Sequence, residues 1–120
     1  MNALEDFIKD ESSPMFSDKI SINVKRINFL LGFVKKHDIR SQKFVNLFID
    51  KKNRKLAFTF TDKEDDNYKI RSHKNGNTQW ITLKKHILKD LNMGEKDFKK
   101  YAYQKHTEKG IDIFIIELGK

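Results

Sequence analysis

The residues best suited to chemistry are basic side chains that alternate along one predicted strand and meet an aromatic residue. Strand alternation in the segment 68–73 places Lys69, Arg71 and His73 on one side, and Trp80 lies on the predicted strand that returns beside them. Basic side chains hold phosphate groups, and an exposed indole ring stacks on bases. This pattern favours binding of single-stranded nucleic acid if Trp80 is exposed, and burial of Trp80 in the core is the alternative.

Other segments combine the same two residue types. A basic turn joins two predicted strands, with a solvated turn as the simple alternative. One predicted strand carries two phenylalanines on its outer side, which could stack bases or be covered by a helix or a dimer partner. A pair of tyrosines lies between lysines near the end of the chain. The candidate nucleic-acid-binding residues are Lys69, Arg71, His73, Lys74, Trp80, Lys84, Lys52, Arg54, Lys55, Phe44, Phe48, Tyr101 and Tyr103.

The chain carries no sequence pattern typical of a catalytic or metal site. It has no glycine-rich phosphate loop, no G-x-S-x-G or H-E-x-x-H motif and no cysteine. The four histidines are scattered, and the acidic run at 62–66 falls in one loop without carboxylates on neighbouring strands. We therefore expect no enzyme activity, no catalytic residue, no metal and no cofactor.

The chain carries a net charge of +8, and this charge is unevenly distributed. Residues 1–18 hold five acidic residues and one lysine, so the remaining residues carry +12. A positive field of this size favours a polyanionic partner, although codon bias in an AT-rich genome could also explain the lysines. Only four of the 25 basic residues are arginine, and lysine suits backbone phosphates better than base edges. We therefore expect nucleic-acid binding with little sequence preference.

Hydrophobic periodicity predicts an α+β domain of antiparallel strands in the order β-α-β-β-β-β-α-β-β. Asn75-Gly76 predicts a type I′ turn that joins two of these strands in a hairpin. We expect a curved antiparallel sheet with two short helices and with the apolar last strand in its interior. The predicted strands cover 20–25, 44–50, 55–61, 68–73, 78–82, 101–105 and 111–118, and the predicted helices cover 29–37 and 83–92.

The composition divides the chain into an acidic flexible arm over 1–18 and a single nucleic-acid-binding domain over 19–120. The arm could compete with nucleic acid for the basic surface, or dock a protein partner through Phe7 and Ile8. No apolar run approaches the roughly 18–20 residues of a membrane span, and the N-terminus lacks the order of a signal peptide. We therefore expect a cytoplasmic protein, in the host cytoplasm if it is viral, that does not bind membranes.

The central half of the chain resembles the positive-coactivator-four fold family, whose dimeric members hold single-stranded DNA on curved antiparallel sheets. The resemblance rests on KFVNLFI at 43–49, which turns into KLAFTF at 55–60, and on WITL at 80–83 followed by a helix through Leu91. It implies a homodimer and a sheet surface for DNA, as in small phage proteins that coat single strands. The helix predicted after the first strand and the closing hairpin at 101–118 depart from this family's pattern.

The sequence therefore predicts a homodimer that binds single-stranded DNA, or RNA, and supports DNA replication or recombination. Two alternatives stay open. A dimeric duplex-binding transcriptional regulator of the swapped-hairpin type would share the small size and basic charge, and would prefer duplex DNA. A protein-interaction or inhibitor module would show no salt-sensitive DNA binding.

Overall fold

The computed structural model describes residues 17–65, 67–72 and 78–119. These residues form short strands and two short α-helices, which confirms the predicted α+β class. Two single-turn 3₁₀ helices lie between them. In chain order the elements are β1 Ile20–Ile22, β2 Arg26–Phe29, α1 Leu31–His37, a 3₁₀ turn Ile39–Ser41, β3 Phe44–Asp50, β4 Lys55–Thr61, β5 Tyr68–Lys69, β6 Arg71–Ser72, β7 Gln79–Thr82, α2 Lys85–Asp90, a 3₁₀ turn Glu95–Asp97, β8 Lys100–Tyr101, β9 Gln104–Glu108 and β10 Ile111–Glu117.

The strands form two five-stranded sheets in which neighbouring strands are antiparallel. Sheet 1 has the order β6-β7-β2-β1-β8, and sheet 2 has the order β5-β3-β4-β10-β9. The sequence predicted a curved antiparallel sheet, and the structure divides the strands between two. As predicted, the apolar strand β10 lies inside its sheet, between β4 and β9.

One hydrophobic core joins the inner faces of the two sheets. Phe29 of β2 packs edge-on against Phe58 of β4, with the ring centroids 5.6 Å apart. Helix α1 adds the fully buried Phe33, which stacks on Phe29, and α2 adds Ile87. Because the inner faces meet in this core, each sheet also has an outer face that points away from the other sheet.

The first predicted strand consists of two strands. A turn separates β1 from β2, because the Oδ1 of Asn23 accepts hydrogen bonds from the N–H groups of Lys25 at 2.9 Å and Arg26 at 2.8 Å. The chain then returns as β2 beside β1. Because β2 extends through Phe29, helix α1 begins at Leu31 instead of at the predicted residue 29.

The hairpin predicted around Asn75-Gly76 has the expected strand pairing, since Arg71 of β6 lies opposite Trp80 of β7. The turn itself lies outside the described residues. The strand predicted over 68–73 is divided at Ile70, because β5 belongs to sheet 2 and β6 belongs to sheet 1. The chain therefore crosses from one sheet to the other at this residue.

The predicted arm is described only at its end, since residues 1–16 lie outside the described residues. Asp18 is held against the domain: Oδ1 accepts a hydrogen bond from the Tyr103 hydroxyl at 2.5 Å, and Oδ2 accepts one from Lys36 at 3.1 Å. The flexibility of the arm stays a prediction. Within the described part of the chain, neither helix has the length and apolar character needed to span a membrane.

Candidate nucleic-acid interface

The outer face of sheet 1 carries an unbroken row of polar and basic side chains with one aromatic ring among them. Directly opposed residues of antiparallel strands project to the same side, so these side chains cross all five strands in line. We call this row, together with Arg26 and Thr82 of the neighbouring row, the basic face. From one edge of the sheet to the other, the row consists of Lys100, Ser21, Asn28, Trp80 and Arg71.

Trp80 lies between Asn28 and Arg71 in the basic face and is half-buried. The guanidinium carbon of Arg26 lies 3.7 Å from the centroid of its ring, which is a cation–π contact. Its indole Nε1 is shielded from solvent and has no hydrogen-bond partner among the described residues. Trp80 is thus neither a core residue nor a freely exposed one. Bases stack on arginine guanidinium planes as well as on aromatic rings, so the pair offers a stacking surface.

A groove beside Trp80 is lined by apolar and basic side chains. Its volume is about 490 Å³, which leaves room for a base. Among the described residues that line it, every charged one is basic, so a phosphate bound there meets no carboxylate among them. The apolar side chains that line it with Trp80 are Val24, Leu83 and Leu88, and the basic ones are Lys25, Arg26 and Lys85.

The strand charges of the two sheets differ. The strands of sheet 1 contain three basic residues and no acidic residue, whereas those of sheet 2 contain three basic and four acidic residues. The basic residues of sheet 1 all lie on its outer face, and they are Arg26, Arg71 and Lys100. Of the two outer faces, that of sheet 1 is therefore the better suited to a polyanion.

The structure brings together two of the residues predicted in the hairpin. Arg71 and Trp80 are direct neighbours across β6 and β7. Lys84 follows β7 in sequence, at the start of α2. Its ammonium group lies 4.7 Å from the centroid of the Tyr68 ring. This contact places Lys84 beside β5 of sheet 2.

The simple alternation predicted Lys69 and Arg71 on one side of a single strand, but in the structure they lie in different sheets. Lys69 lies opposite Phe44 on β3, and its side chain belongs to the outer face of sheet 2. The reason is the crossing at Ile70, which sends consecutive residues of one alternating segment into two sheets. His73 and Lys74 lie outside the described residues.

Arg54, predicted as part of a basic rim, is engaged inside the protein. Its Nε donates to the Leu91 carbonyl at 3.1 Å, and its Nη1 donates to the Gly119 carbonyl at 2.9 Å. Its Nη2 forms an ion pair of 2.9 Å with Asp97, which is only 1% exposed. With these contacts Arg54 joins the β3–β4 turn to the end of α2 and to the end of β10, so we assign it a structural role.

The two lysines predicted for this rim, Lys52 and Lys55, lie in sheet 2 or in the turn that joins two of its strands. Lys52 is exposed in the β3–β4 turn. Lys55 pairs with Glu117 of β10 at 3.3 Å, so a carboxylate already offsets its charge. Neither residue lies on the strands that form the basic face.

The predicted tyrosine pair is also turned toward the protein. Tyr101 is 5% exposed, and its hydroxyl donates to the Asp97 carbonyl at 2.7 Å. Burial, together with the charge of Asp97, raises the pKa of Tyr101 to about 12. Tyr103 is half-buried and packs edge-on against Phe33 with the centroids 4.9 Å apart. The ring of Tyr101 is therefore not free to stack on a base.

Tyr103 also links two titratable side chains. Its oxygen lies 2.5 Å from Nε2 of His37, and its hydroxyl donates to Asp18. Burial and the hydrogen bond to Asp18 raise the pKa of Tyr103, so the hydroxyl stays protonated. Burial lowers the pKa of His37, which favours the neutral imidazole. This arrangement suits a structural link better than proton transfer, because the central hydroxyl does not ionise near neutral pH.

Phe44 and Phe48 lie on the outer face of sheet 2, as the alternation predicted, while Val45 of the same strand is buried in the core. Phe48 is 55% exposed. Asn46, which lies between them, donates a hydrogen bond to Thr59 at 3.2 Å. This second outer face therefore exposes large apolar side chains.

Sequence reasoning missed Arg26, and it grouped Lys100 with the tyrosine pair instead of with Trp80. Arg26 was hidden because Ile20, Ile22 and Val24 favour one longer strand, and the turn at Asn23 resets the alternation. Lys100 preceded a segment predicted to pair with β10, yet β8 pairs with β1. In the described part of the chain, no three histidines or acidic residues lie close enough together to hold a metal ion.

The chain matches no protein-family model, no curated protein and no solved structure. The resemblance to the positive-coactivator-four fold family therefore stays a prediction. The fold and the basic face are the observations from which a function can be proposed.

Proposed function

We propose that this protein binds single-stranded DNA with little sequence preference across the basic face, and that it supports DNA replication or recombination in the cytoplasm. The observation that carries the proposal is the row from Lys100 to Arg71, which has Trp80 near its centre and no acidic residue on its five strands. The basic ends suit phosphates, and the Arg26–Trp80 pair suits a base. Ser21 and Asn28 supply polar groups that can bond to many partners, which fits low sequence preference.

The geometry favours a single strand over a duplex. An unstacked base can lie against the Arg26–Trp80 pair, whereas the bases of a duplex are stacked on each other and reachable only through the grooves. Within the described residues, the basic face is made of short strands, and no helix projects from it to enter a major groove. A duplex could therefore meet this surface only through its phosphates.

The size of the row predicts the length of strand that is bound. Four steps between neighbouring strands at about 4.8 Å give about 19 Å from one end of the row to the other. Stacked nucleotides advance about 3.4 Å each along a strand, and unstacked ones advance further, so the row spans at most about six of them. We infer that the nucleic acid runs across the strands of sheet 1 from Arg71 toward Lys100.

The proposal is tested by titrating the protein with oligo-dT, a matched duplex and a single-stranded RNA of equal length, at two salt concentrations. Trp80 is the single tryptophan of the chain, so fluorescence excited at wavelengths that tyrosine does not absorb reports on the basic face alone. We expect tight, salt-sensitive quenching with oligo-dT and weaker binding of the duplex. Preference for RNA would keep the interface and change its ligand. Tighter binding of the duplex would favour the regulator instead, and no binding at low salt would contradict nucleic-acid binding.

A further inference from the structure

The outer face of sheet 2 exposes a cluster of large apolar side chains. Phe48 and Ile111 are each 55% exposed. Ile113 and Ile115 of β10 point to the same side and are half-buried, and Ala57 lies directly opposite both Phe48 and Ile115. We call these five residues the apolar face. Contiguous exposed apolar patches are uncommon on monomeric proteins and usually mark an interaction surface.

The apolar face has the shape of a hollow between two projections. Phe48 and Ile111 stand at its borders, and the smaller side chains of Ala57 and Thr59 lie between them. The hollow has a volume of about 530 Å³, which exceeds the room that one phenylalanine ring needs. A surface with both a projecting ring and a hollow can be complementary to itself, as a two-fold interface requires.

The charges of sheet 2 favour a second copy over other partners. The whole chain carries +8, so two copies repel each other unless they meet where positive charge is scarce. Sheet 2 is such a place, because its strands hold three basic and four acidic residues. On its outer face, Lys55 and Glu117 already form an ion pair. A polyanion such as DNA finds no net positive charge on these strands.

The outer face of sheet 2, which contains the apolar face, is large enough for a modest dimer interface. Sheet 2 spans four strand spacings of about 4.8 Å, and its longest strands rise about 3.3 Å for each of their seven residues. These dimensions give roughly 450 Å² in projection. Since accessible area exceeds projected area, two copies packed face to face would bury about 1,000 Å², which is about the least that a specific interface should bury.

We propose that the apolar face binds the apolar face of a second copy, and that Phe48 of each copy fills the hollow of the other. In this homodimer sheet 2 of one copy packs on sheet 2 of the other at the centre. The two basic faces then point outward on opposite sides. If the proposed function is right, on which this consequence rests, one dimer holds two separate strands of DNA. The arrangement predicts bridging of strands and not one long continuous groove.

The oligomeric state of the full chain tests the interface. Sedimentation velocity over a range of concentrations should show the wild type at twice the mass of the chain, and Phe48→Asp and Ile111→Asp as monomers. Val24→Asp is the matched control, because Val24 is also 55% exposed but lies beside sheet 1. Circular dichroism confirms that each variant is folded. A monomeric wild type, or dimers of both face variants, would overturn the proposal.

Strand bridging separates this proposal from the proposed function. Two oligo-dT strands, one labelled with an energy donor and one with an acceptor, should give energy transfer with the wild type and none with Phe48→Asp. Phe48→Asp should still quench its Trp80 fluorescence on binding one strand. If the wild type dimerises but binds no DNA, the proposed function fails and the interface stands. If Phe48→Asp still bridges strands, the interface is wrong.

Discussion

Arg26 and Trp80 form a diagonal pair on neighbouring strands, with the guanidinium carbon 3.7 Å from the centre of the indole ring. Arg26 lies opposite Thr82, and Trp80 lies opposite Asn28. Arg26 and Trp80 are therefore diagonal neighbours, offset by two residues along the strands. The contact places a fixed positive charge on an aromatic ring within the basic face. A base that binds here either stacks on the guanidinium group or displaces it from the ring.

The Arg26–Trp80 pair predicts that charge and planarity contribute separately to binding. Arg26→Lys keeps the charge and loses the planar group, so affinity for oligo-dT should fall while its salt dependence stays unchanged. Arg26→Gln also removes the charge and should reduce the slope of log K against log salt by about 0.7. Anisotropy of a labelled oligonucleotide measures both quantities. Identical slopes in the two variants would show that Arg26 does not contact phosphate.

Trp80 should contribute to affinity through its ring. Stacking of one base is worth about 1–3 kcal/mol, so Trp80→Leu should weaken binding of labelled oligo-dT by roughly 5- to 150-fold. Trp80→Phe keeps a smaller ring, so its affinity for oligo-dT should lie between those of the wild type and Trp80→Leu. Equal losses in both variants would indicate that Trp80 serves packing, and thermal denaturation distinguishes that case because a packing role lowers the melting temperature.

Affinity should rise with oligonucleotide length up to about six nucleotides per protomer, the number that fits along the row of the basic face. Beyond that length, affinity per binding site should level off. Titrations with dT oligomers of three to twelve nucleotides measure this dependence. A continued steep rise beyond about eight nucleotides would mean that the strand follows another path.

Asp97 should make stability depend on acidity. Burial acts to raise its pKa, but hydrogen bonds from the Gly94 N–H and from Arg54 outweigh burial and hold the pKa below 3.8. The unfolded chain therefore binds this proton first, and the free energy of unfolding falls as pH drops through the folded pKa. At pH 7, Asp97→Asn leaves Arg54 without its counter-charge and should cost about 3–5 kcal/mol.

The difference in melting temperature between wild type and Asp97→Asn should be largest near neutral pH and should begin to shrink below pH 3.8, where the unfolded wild-type chain takes up this proton while the folded carboxyl stays charged. Asp62→Asn, in the exposed β4–β5 loop, is the matched control and should change little. A constant difference across the acidic range would show that the charge of Asp97 is unimportant.

The sequence was sufficient where one periodicity continued without interruption. Strands β3 and β4 were predicted with their observed bounds, and the pairing of Arg71 with Trp80 followed from Asn75-Gly76. It was insufficient where a single side chain redirects the backbone. Asn23 turns the chain while the apolar alternation continues past it to Val24, and that residue is exposed.

The prediction of the candidate site was incomplete for a related reason. Alternation assigns a residue to a side of a strand, but it does not reveal to which sheet the strand belongs. Lys69 and Arg71 alternate correctly and still lie in different sheets, and Lys100 joined the basic face through a pairing with β1 that no local pattern indicates. The fate of Arg54 was hidden as well, because its partner Asp97 is 43 residues away.

The central claim is that Arg71 and Lys100 hold phosphates at the two ends of the basic face, and the salt dependence of oligo-dT binding tests it most directly. The variant carrying Arg71→Ala and Lys100→Ala should bind more weakly, and its slope of log K against log salt should be smaller than that of the wild type by about 1.4. The control variant carries Lys35→Ala and Lys63→Ala, which remove two exposed charges in α1 and in the β4–β5 loop, outside the strands of sheet 1. Its slope should stay close to that of the wild type. Equal slopes in the two double variants would contradict binding of DNA at the basic face.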